Sequence, residues 1–499
     1  NHVKYVRRRV KRIIMNKFFK KTLALTAAVI VAFGVTGCGD DSPASGDKES
    51  GSAANRNLTV NVSSSLVDFS KYKDTKTTDI YAWRGPADLS DEQWQTFKES
   101  GINTLIMDSG IDGKRGAQFG SASQEEYIVK CHKYGINAIG YTNGNINTNV
   151  KDYKNEEFYP TIKGIDYTDE PPISEFEEIA TAIPDFSAKY PGGKFFVCML
   201  SSGADAKHLG TADYREYANG WYDTVLSRLP EGMPRVFATD IYPMHDDKKY
   251  GYNYVEETWL RSLAYLGEVK LAHPEIVLHM AMQSMSFGFL ENTSPRRLPS
   301  EADCIFQAYV NMAFGFTEFS WFTYSSPELD EREFGEEHVS MLDRSNGKTS
   351  AYYGVKKANE LIYDLDEVMM SLTWHGVYPI TVKSLTDSEK TDERAIRYLK
   401  SIKGVILDES DFNVVKSVSA NGNVLCSQFT DEKDNEGFML VNYGDPSYEK
   451  TVKVEAEFID CDKIIVYRDG KKTVENVGNG KWSEDIPAGK GVFIIPYKA

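Results

Sequence analysis

The sequence has 499 residues, of which 41% are hydrophobic and 12% aromatic, and its formal net charge is −16 at pH 7. This length is too great for one ordinary domain and suits two, each with enough apolar residues for a sizeable core. The excess of acidic residues argues against nucleic acid and anionic lipid surfaces as the main ligand.

Residues 1–38 have the pattern of a bacterial signal peptide. Three lysines follow Met15, an apolar run extends from Leu23 to Val35, and the stretch VTGC ends at Cys38. Secretory signals have this order of a basic segment, an apolar segment and small residues, and this apolar run is too short to span a bilayer. VTGC resembles the lipobox of bacterial lipoproteins. The resemblance implies that Cys38 is lipidated and anchors the protein to the cell membrane, on its extracytoplasmic side.

Residues 1–14 are interpreted as an upstream extension, and residues 39–76 as a flexible linker and entry segment. The linker begins with GDDSPASGDKESGSAANRN, which is rich in Gly, Ser, Asp and Ala and has no apolar periodicity. Such a segment cannot bury enough apolar surface to become ordered. We therefore expect it to tether a folded body to the lipid anchor.

Eight apolar runs alternate with helical patterns between residues 77 and 371. The runs cover residues 77–85, 102–108, 136–143, 162–170, 194–202, 236–244, 276–284 and 316–324. Two of them begin at the tripeptide Gly-Ile-Asn, whose glycine is suited to end a helix just before a strand. This pattern predicts a (β/α)8 TIM barrel. An open doubly wound sheet is the alternative, but it would more often bring a phosphate-binding glycine loop, which this sequence lacks.

After residue 372 the apolar pattern changes to a period of two. Alternating runs such as VLCSQFT and GFMLVNYG, together with a tight turn at Asp469-Gly470, predict an all-β sandwich over residues 372–499. The five cysteines after Cys38 have no CxxC spacing, which indicates neither a zinc site nor a disulfide framework. One bridge between Cys426 and Cys461 and a set of buried free thiols are both compatible with the sequence.

Polar and aromatic side chains are concentrated where the predicted barrel strands end. Sites of such barrels are built at this end, because side chains from several strands meet there. The residues at these positions are Trp83, Arg84, Asp108, Tyr141, Asn143, Asp166, Asp169, Glu170, Asp240, Tyr242, Gln283, Trp321, Thr323 and Tyr324. Carboxylates ringed by Trp and Tyr suit a sugar site, since two carboxyl groups must flank the glycosidic bond. We interpret His279 and Glu318, which lie earlier in their strands, as structural.

Two stretches resemble (β/α)8-barrel glycoside hydrolases that carry a trailing β-sandwich. GIDYTDEPP, residues 164–172, is similar to the end of their fourth strand, where an acidic residue precedes a proline. RLPSEADCIFQAYVNMAFGFTEFSWFTY, residues 297–324, is similar to their last helix and strand. The resemblance implies that Glu170 is the general acid/base and that Trp321 is a platform for a sugar ring.

The sequence departs from these enzymes at strand seven. The large retaining clan carries a second glutamate there, whereas this strand reads HMAMQSMS and its nearest polar residue is Gln283. Asp240 on strand six is the best substitute. Asp166 is the other candidate, because a regular strand would place it on the same face as Glu170.

A second resemblance leaves the mechanism open. Asp166-x-Thr168-x-Glu170 is similar to the Asp-x-Asp-x-Glu motif of chitinase-type barrels, although Thr168 replaces the middle aspartate. In those enzymes the acetamido group of the substrate attacks, and a tyrosine of strand six assists. The corresponding residue here is Tyr242.

These features predict a lipid-anchored, extracytoplasmic glycoside hydrolase that cleaves an oligo- or polysaccharide without a cofactor or metal. The predicted catalytic residues are Glu170, Asp240 and Asp166. The predicted substrate-binding residues are Trp83, Arg84, Tyr141, Asn143, Tyr242, Gln283, Trp321 and Tyr324. The first alternative is a carbohydrate-binding lipoprotein that has the same barrel but no activity. The second is another barrel chemistry, such as a lyase or an amide hydrolase.

Overall fold

The computed structural model of the chain describes residues 78–107, 123–142, 144, 154–247, 254–288, 295–325, 338–380, 404–448 and 450–499. The predicted signal peptide with Cys38, the predicted linker, Asp108 and Asn143 lie outside these residues. The statements about them made from the sequence therefore stay predictions.

Eight parallel strands form a closed barrel in chain order, with the first strand paired to the last. The strands are β1 (Ile80–Trp83), β2 (Thr104–Ile106), β3 (Asn137–Tyr141), β4 (Ile162–Asp169), β5 (Lys194–Met199), β6 (Arg235–Asp240), β7 (Ile276–Gln283) and β8 (Glu318–Phe322). The predicted barrel is confirmed. The open doubly wound sheet is wrong, because the sheet closes on itself and has no edge strand.

Helices lie between the barrel strands and after the last of them. They are α1 (Asp91–Glu99), α2 (Gln124–Tyr134), α3 (Phe176–Ala180), α4 (Ile183–Lys189), α5 (Ala206–Leu209), α6 (Tyr214–Thr224), α7 (Arg261–Ala272), α8 (Glu301–Ala313), α9 (Ser350–Asp364) and α10 (Asp366–Met369). A π-helical segment, Val255–Leu260, precedes α7. Short 3-10 helices lie at Tyr159–Thr161, Ile173–Glu175, Leu226–Arg228 and Glu409–Asp411.

The two Gly-Ile-Asn tripeptides end helices as their sequence predicts. Gly101 after α1 and Gly135 after α2 have φ angles of 83° and 67°, which place both in the left-handed region that favours glycine. At its other end, α2 has a capping box in which Ser123 and Glu126 bond each other's backbone N–H groups. Local sequence therefore sets where this helix begins and where the next strand starts.

Side chains along the strands point alternately outward and inward, and so form an outer and an inner core. Outward-facing side chains pack against the helices in one large apolar cluster. Inward-facing side chains form a smaller cluster, which contains Tyr81, Ile106, Ile139, Phe196, Cys198, Val236 and Ala238. The barrel interior is therefore filled by side chains, as in other barrels of eight strands.

A cluster of charged and polar side chains, which we call the base cluster, closes the amino-terminal end of the barrel. It consists of Asp79, Tyr81, Lys194, His279 and Glu318. The Nζ atom of Lys194 lies 2.5 Å from a carboxylate oxygen of Asp79 and 2.5 Å from one of Glu318. Tyr81 donates a hydrogen bond to Glu318 at 2.9 Å, and His279 lies 3.6 Å from the same carboxylate. The predicted structural roles of His279 and Glu318 are confirmed.

The charge state of Glu318 depends on these neighbours. Burial alone would raise the pKa of Glu318, but the charge of Lys194, together with a smaller effect of the nearby His279, outweighs it and lowers the pKa below its usual value. Glu318 is therefore ionised at neutral pH, and Lys194 balances its charge inside the barrel.

The carboxyl-terminal part of the chain forms two antiparallel sheets that pack face to face. Their orders are β10-β13-β16 and β15-β14-β17-β12-β11-β9. The strands are β9 (Thr373–Ile380), β10 (Val415–Ala420), β11 (Val424–Thr430), β12 (Glu436–Asn442), β13 (Val452–Phe458), β14 (Lys463–Arg468), β15 (Lys471–Asn476), β16 (Lys481–Ile486) and β17 (Gly491–Tyr497). The predicted β-sandwich is confirmed.

The sequence made statements about one turn and two cysteines of the sandwich. Asp469 and Gly470 both have positive φ angles and join β14 to β15, which is the two-residue hairpin that the sequence predicts. The bridge between Cys426 and Cys461 is wrong, because both are free cysteines. Cys426 is buried between the sheets, whereas the half-buried Cys461 forms a hydrogen bond with the carbonyl of Lys463.

Polar contacts connect the sandwich to helix α8 of the barrel. The indole N–H of Trp374 donates to the carbonyl of Ala313 at 2.9 Å. Arg297 lies 2.8 Å from a carboxylate oxygen of Asp303 and 2.9 Å from one of Asp445, and so links the two domains. These contacts fix the sandwich against the side of the barrel.

The base cluster predicts a large effect of Lys194 on stability. Lys194→Met leaves the buried carboxylate of Glu318 without its cation, and we expect the free energy of unfolding to fall by about 3–5 kcal/mol. Urea denaturation measures this change. The double variant Lys194→Met/Glu318→Leu removes both charges and should recover most of the loss. A single variant with the unfolding free energy of the natural chain would contradict the prediction.

Candidate active site at the carboxyl end of the barrel

Five of the residues predicted from strands one, four and six lie together at the carboxyl end of the barrel, which we call the mouth. Trp83 ends β1 and Arg84 follows it, Asp166 belongs to β4, Glu170 follows β4, and Asp240 ends β6. Asp166 is buried and the other four are half-buried. The four half-buried side chains therefore keep part of their surface accessible to solvent at the mouth.

An irregularity in β4 changes which carboxylates share the inner face. Asp166 pairs in register with Phe196 of β5, the register then shifts, and Asp169 pairs with Cys198. Phe196 and Cys198 both face the barrel interior. A regular strand would place Thr168 on the inner face with Asp166 and Glu170, but the extra residue in the bulge moves Asp169 to that face instead.

Glu170 is held at the mouth by its backbone. Its N–H donates to the carbonyl of Cys198 at 2.8 Å, and the carbonyl of the next residue, Pro171, accepts a bond from the Tyr217 hydroxyl at 2.8 Å. Glu170 has a φ of 47° and Arg84 a φ of 60°. Left-handed backbone costs an ordinary residue roughly 1–2 kcal/mol, and such strain concentrates at functional sites.

The acidic residues of β4 and β6 lie near the thiol of Cys198. Burial raises its pKa well above the usual value, and the nearby negative charges of four carboxylates raise it further. These are Asp240, Asp169, Glu170 and Asp166. Cys198 belongs to β5, which lies between β4 and β6 in the barrel. The acids of β4 and β6 therefore face one another across a single strand.

Asp240 has the properties of an acid/base group. Burial raises its pKa, and this effect exceeds the opposing effects of the nearby Tyr242 hydroxyl and of the charge of Arg296. A carboxyl group with a raised pKa holds its proton closer to neutral pH, as a proton donor requires. The hydroxyl of Tyr242, two residues further along the chain, lies near this carboxyl.

Three rings form one wall of the mouth, which we call the ring wall: Phe322, Tyr242 and Phe287. The Tyr242 ring centroid lies 5.5 Å from that of Phe322 and 5.3 Å from that of Phe287. A guanidinium lies over each outer ring, Arg84 at 5.6 Å from Phe322 and Arg296 at 4.9 Å from Phe287. The wall thus presents apolar faces with a cation at each end.

Trp321 and Tyr324 are not at the mouth, and their predicted contact with substrate is wrong. Trp321 is fully buried on the outer face of β8, where its indole N–H donates to Asn359 of α9 at 2.8 Å. Tyr324 is also fully buried and packs edge-to-face on Phe97 of α1 at 4.7 Å. Because side chains alternate along a strand, the neighbouring Phe322 takes the inward position.

Gln283 is likewise wrong as a substrate-binding residue. Its side chain is fully buried, accepts a hydrogen bond from the N–H of Met244 at 3.0 Å and donates to the carbonyls of Arg297 and Met285 at 2.9 and 3.1 Å. These bonds connect the loops that follow β6 and β7. Gln283 therefore has a structural role at the position where the large retaining clan of glycoside hydrolases carries a second glutamate.

The other predicted residues have mixed positions. Tyr141 ends β3 directly opposite Asp166 and is half-buried, and its backbone is bonded by Gln124. Trp83 packs edge-on against Phe196 at 6.0 Å, next to the inner core. Both remain candidates for contact with a ligand, whereas Asn143 lies outside the described residues.

Sequence reasoning missed three residues of the mouth for different reasons. Counting alternate positions from Glu318 would have selected Phe322 over its neighbour. Phe287 and Arg296 lie after β7 in connecting segments, where no periodicity marks a side chain that returns to the site. Only the tertiary structure brings them next to Tyr242.

Two features are absent from the described residues. In these parts of the chain, no three His, Cys, Asp or Glu side chains are grouped so that they could hold a metal ion. Over the same parts, no helix combines the length and apolar character needed to cross a membrane.

No protein-family model and no curated protein matches the chain. Solved structures do match it. A family 39 glycoside hydrolase from Bacteroides cellulosilyticus has 10% identity over 86% of this chain and 82% of its own, with a TM-score of 0.42. A family 30 endoxylanase from Clostridium papyrosolvens has 12% identity over 85% and 97%, with a TM-score of 0.38. A family 5 glycoside hydrolase from Bacteroides vulgatus has 10% identity over 85% and 89%, with a TM-score of 0.40.

The positions of Trp321 and Phe322 give opposite expectations for substitution. Trp321→Phe loses the hydrogen bond to Asn359 and should lower the free energy of unfolding by about 1–3 kcal/mol while leaving ligand affinity unchanged. Phe322→Ala removes a ring from the mouth and should weaken ligand binding. Urea denaturation and calorimetric titration with oligosaccharides measure the two effects. Weaker binding by the Trp321 variant alone would contradict this assignment.

Proposed function

We propose that the protein is a glycoside hydrolase that cleaves an oligo- or polysaccharide. The observation that carries the proposal is that the acids of β4 and β6 lie on either side of Cys198 in β5, where Asp169 pairs with Cys198 and Asp240 follows its other partner Ala238 by two residues, beside the ring wall. Hydrolysis of a glycosidic bond needs one carboxyl group to protonate the leaving oxygen and a second to act as base or nucleophile. The mouth supplies both, together with rings whose faces can pack on a sugar.

Glu170 and Asp240 are the proposed catalytic pair. Glu170 is fixed by its backbone at the end of β4, and Asp240 lies at the end of β6 with the Tyr242 hydroxyl nearby. The negative charges of Asp166 and Asp169 lie nearby, and a neighbouring carboxylate makes it easier for one member of a group to keep its proton. Asp166 and Asp169 thus support the pair by their charge.

The proposed sugar contacts are those that the structure leaves at the mouth. Tyr242 and Phe322 offer ring faces, with Trp83 on the adjoining strand and Arg84 beside Phe322. Sites for small ligands combine such apolar surfaces with a few polar groups that fix orientation. Phe322 replaces Trp321 in this scheme.

One observation favours a second function, a carbohydrate-binding protein without turnover. The end of β7 carries Gln283, which is fully engaged in structural hydrogen bonds, and so offers no carboxylate. Release of reducing sugar from any glycan by the purified protein separates the two functions. Binding without release would favour the second.

Glutamine at position 170 tests the acid/base role. Glu170→Gln keeps the size of the side chain but cannot donate a proton, so we expect turnover to fall roughly 10²–10⁴-fold. Asp240→Asn should cause a loss of similar size. Steady-state rates on aryl glycosides with poor and good leaving groups identify the acid, because only its variant recovers on good leaving groups.

Glu177→Gln is the matched control for this experiment. Glu177 lies on α3, is exposed and pairs with Arg228 on the surface. It should keep full turnover. If Glu170→Gln is also fully active, Glu170 is only part of a turn and the assignment of the site is wrong.

We also propose that the protein is anchored to the membrane, outside the cytoplasm, by a lipid on Cys38. The support is the order of basic residues, apolar run and VTGC in residues 15–38. Cys38→Ala removes the thiol that would carry the lipid and should move the protein from the membrane fraction to the soluble fraction. Immunoblots of fractionated cells measure this, and a variant that still sediments with membranes contradicts the proposal.

A further inference from the structure

Arg296 is held at the mouth in a fixed orientation. Its guanidinium lies 4.9 Å from the ring centroid of Phe287 and 5.7 Å from that of Tyr254. Its Nε atom donates to the carbonyl of Tyr242 at 3.3 Å. Two rings and one backbone bond thus position the side chain, which remains half-buried. A guanidinium restrained in this way loses little further freedom when it binds a ligand.

The neighbouring arginine shows what is unusual about Arg296. Arg297 is neutralised by Asp303 and Asp445, and its role is structural. Arg296 forms no ion pair within 4.0 Å with any carboxylate in the described parts of the chain. Its terminal nitrogen atoms therefore have no carboxylate partner there, although the chain as a whole carries a net charge of −16.

Arg296 is also close to the proposed chemistry. Its positive charge lowers the pKa of the Asp240 carboxyl, against the larger effect of burial. Its stacking partner Phe287 contacts the ring of Tyr242, whose hydroxyl lies near Asp240. A group bound by Arg296 would therefore lie at the end of the ring wall, next to the sugar that the wall supports.

A planar fork of N–H donors matches the two oxygen atoms of a carboxylate. We propose that the substrate is an acidic glycan and that Arg296 binds the carboxylate of a uronic acid residue in it. The sugar ring would pack on the ring wall while its carboxylate faces Arg296. This inference rests on the proposed function, because it assigns the substrate of the same site.

The experiment compares acidic glycans with their neutral counterparts. Oligosaccharides of galacturonic, glucuronic and mannuronic acid are each paired with their methyl esters, which keep the sugar and remove the charge. Affinities are measured by calorimetry with the Glu170→Gln protein, and steady-state rates with the natural chain. We expect the natural chain to prefer one acid over its ester, and this preference to fall with added salt, since salt screens the charges.

Arg296→Met should raise KM and Kd for that acid about 10- to 100-fold and change those for the ester little. Arg296→Lys keeps the charge without the fork and should lie between the two. The matched control is Arg228→Met, which removes the same charge from an exposed surface site and should change neither. Thermal unfolding of each variant shows that it is folded.

Each other outcome has a definite meaning. Equal loss on acid and ester, with a shifted pH profile of kcat, would show that Arg296 only adjusts Asp240 and would overturn the inference. Cleavage of neutral glycans alone would also overturn it and leave the hydrolase intact. Arg296-dependent binding of acids without turnover would support the inference and overturn the hydrolase. Preference for sulfated over carboxylated oligosaccharides would overturn the assignment of a uronic acid.

Discussion

The ion pair of Lys194 with Glu318 is the interaction on which the barrel depends. Lys194 begins β5 and reaches across the interior to Glu318 at the start of β8 and to Asp79 just before β1. Neither charge is tolerable alone in a poorly solvated interior, so the groups must be present together. Because this cluster and the inner core fill one end of the barrel, only the opposite end is left for binding and chemistry.

Closure of the sheet then determines which acids meet. β5 lies between β4 and β6, so carboxylates of both neighbouring strands lie on either side of Cys198. Mutual repulsion and partial burial make this arrangement unfavourable by itself, and the packed cores elsewhere must offset its cost. The positive φ angles of Glu170 and Arg84 add strain at the same rim. A surface without function would not be expected to keep acids and strain together.

The ring wall lies beside the carboxyl group of Asp240. The ring of Tyr242 contacts Phe322 and Phe287, and its hydroxyl lies near Asp240. Arg296 stacks on Phe287 and donates a hydrogen bond to the Tyr242 carbonyl. A molecule that packs on the wall would therefore also come close to Asp240 and Arg296.

The sequence by itself determined the eight strands, the change to a period of two after residue 372, and the acids at the ends of β4 and β6, because local periodicity and turn residues encode them. The tertiary structure decided which side chains face the mouth. A bulge moved Asp169 inward in place of Thr168, and β8 presented Phe322 and buried Trp321. A shift of one residue moves every following side chain to the other face of the strand. The packing that fixes this register comes from distant parts of the chain.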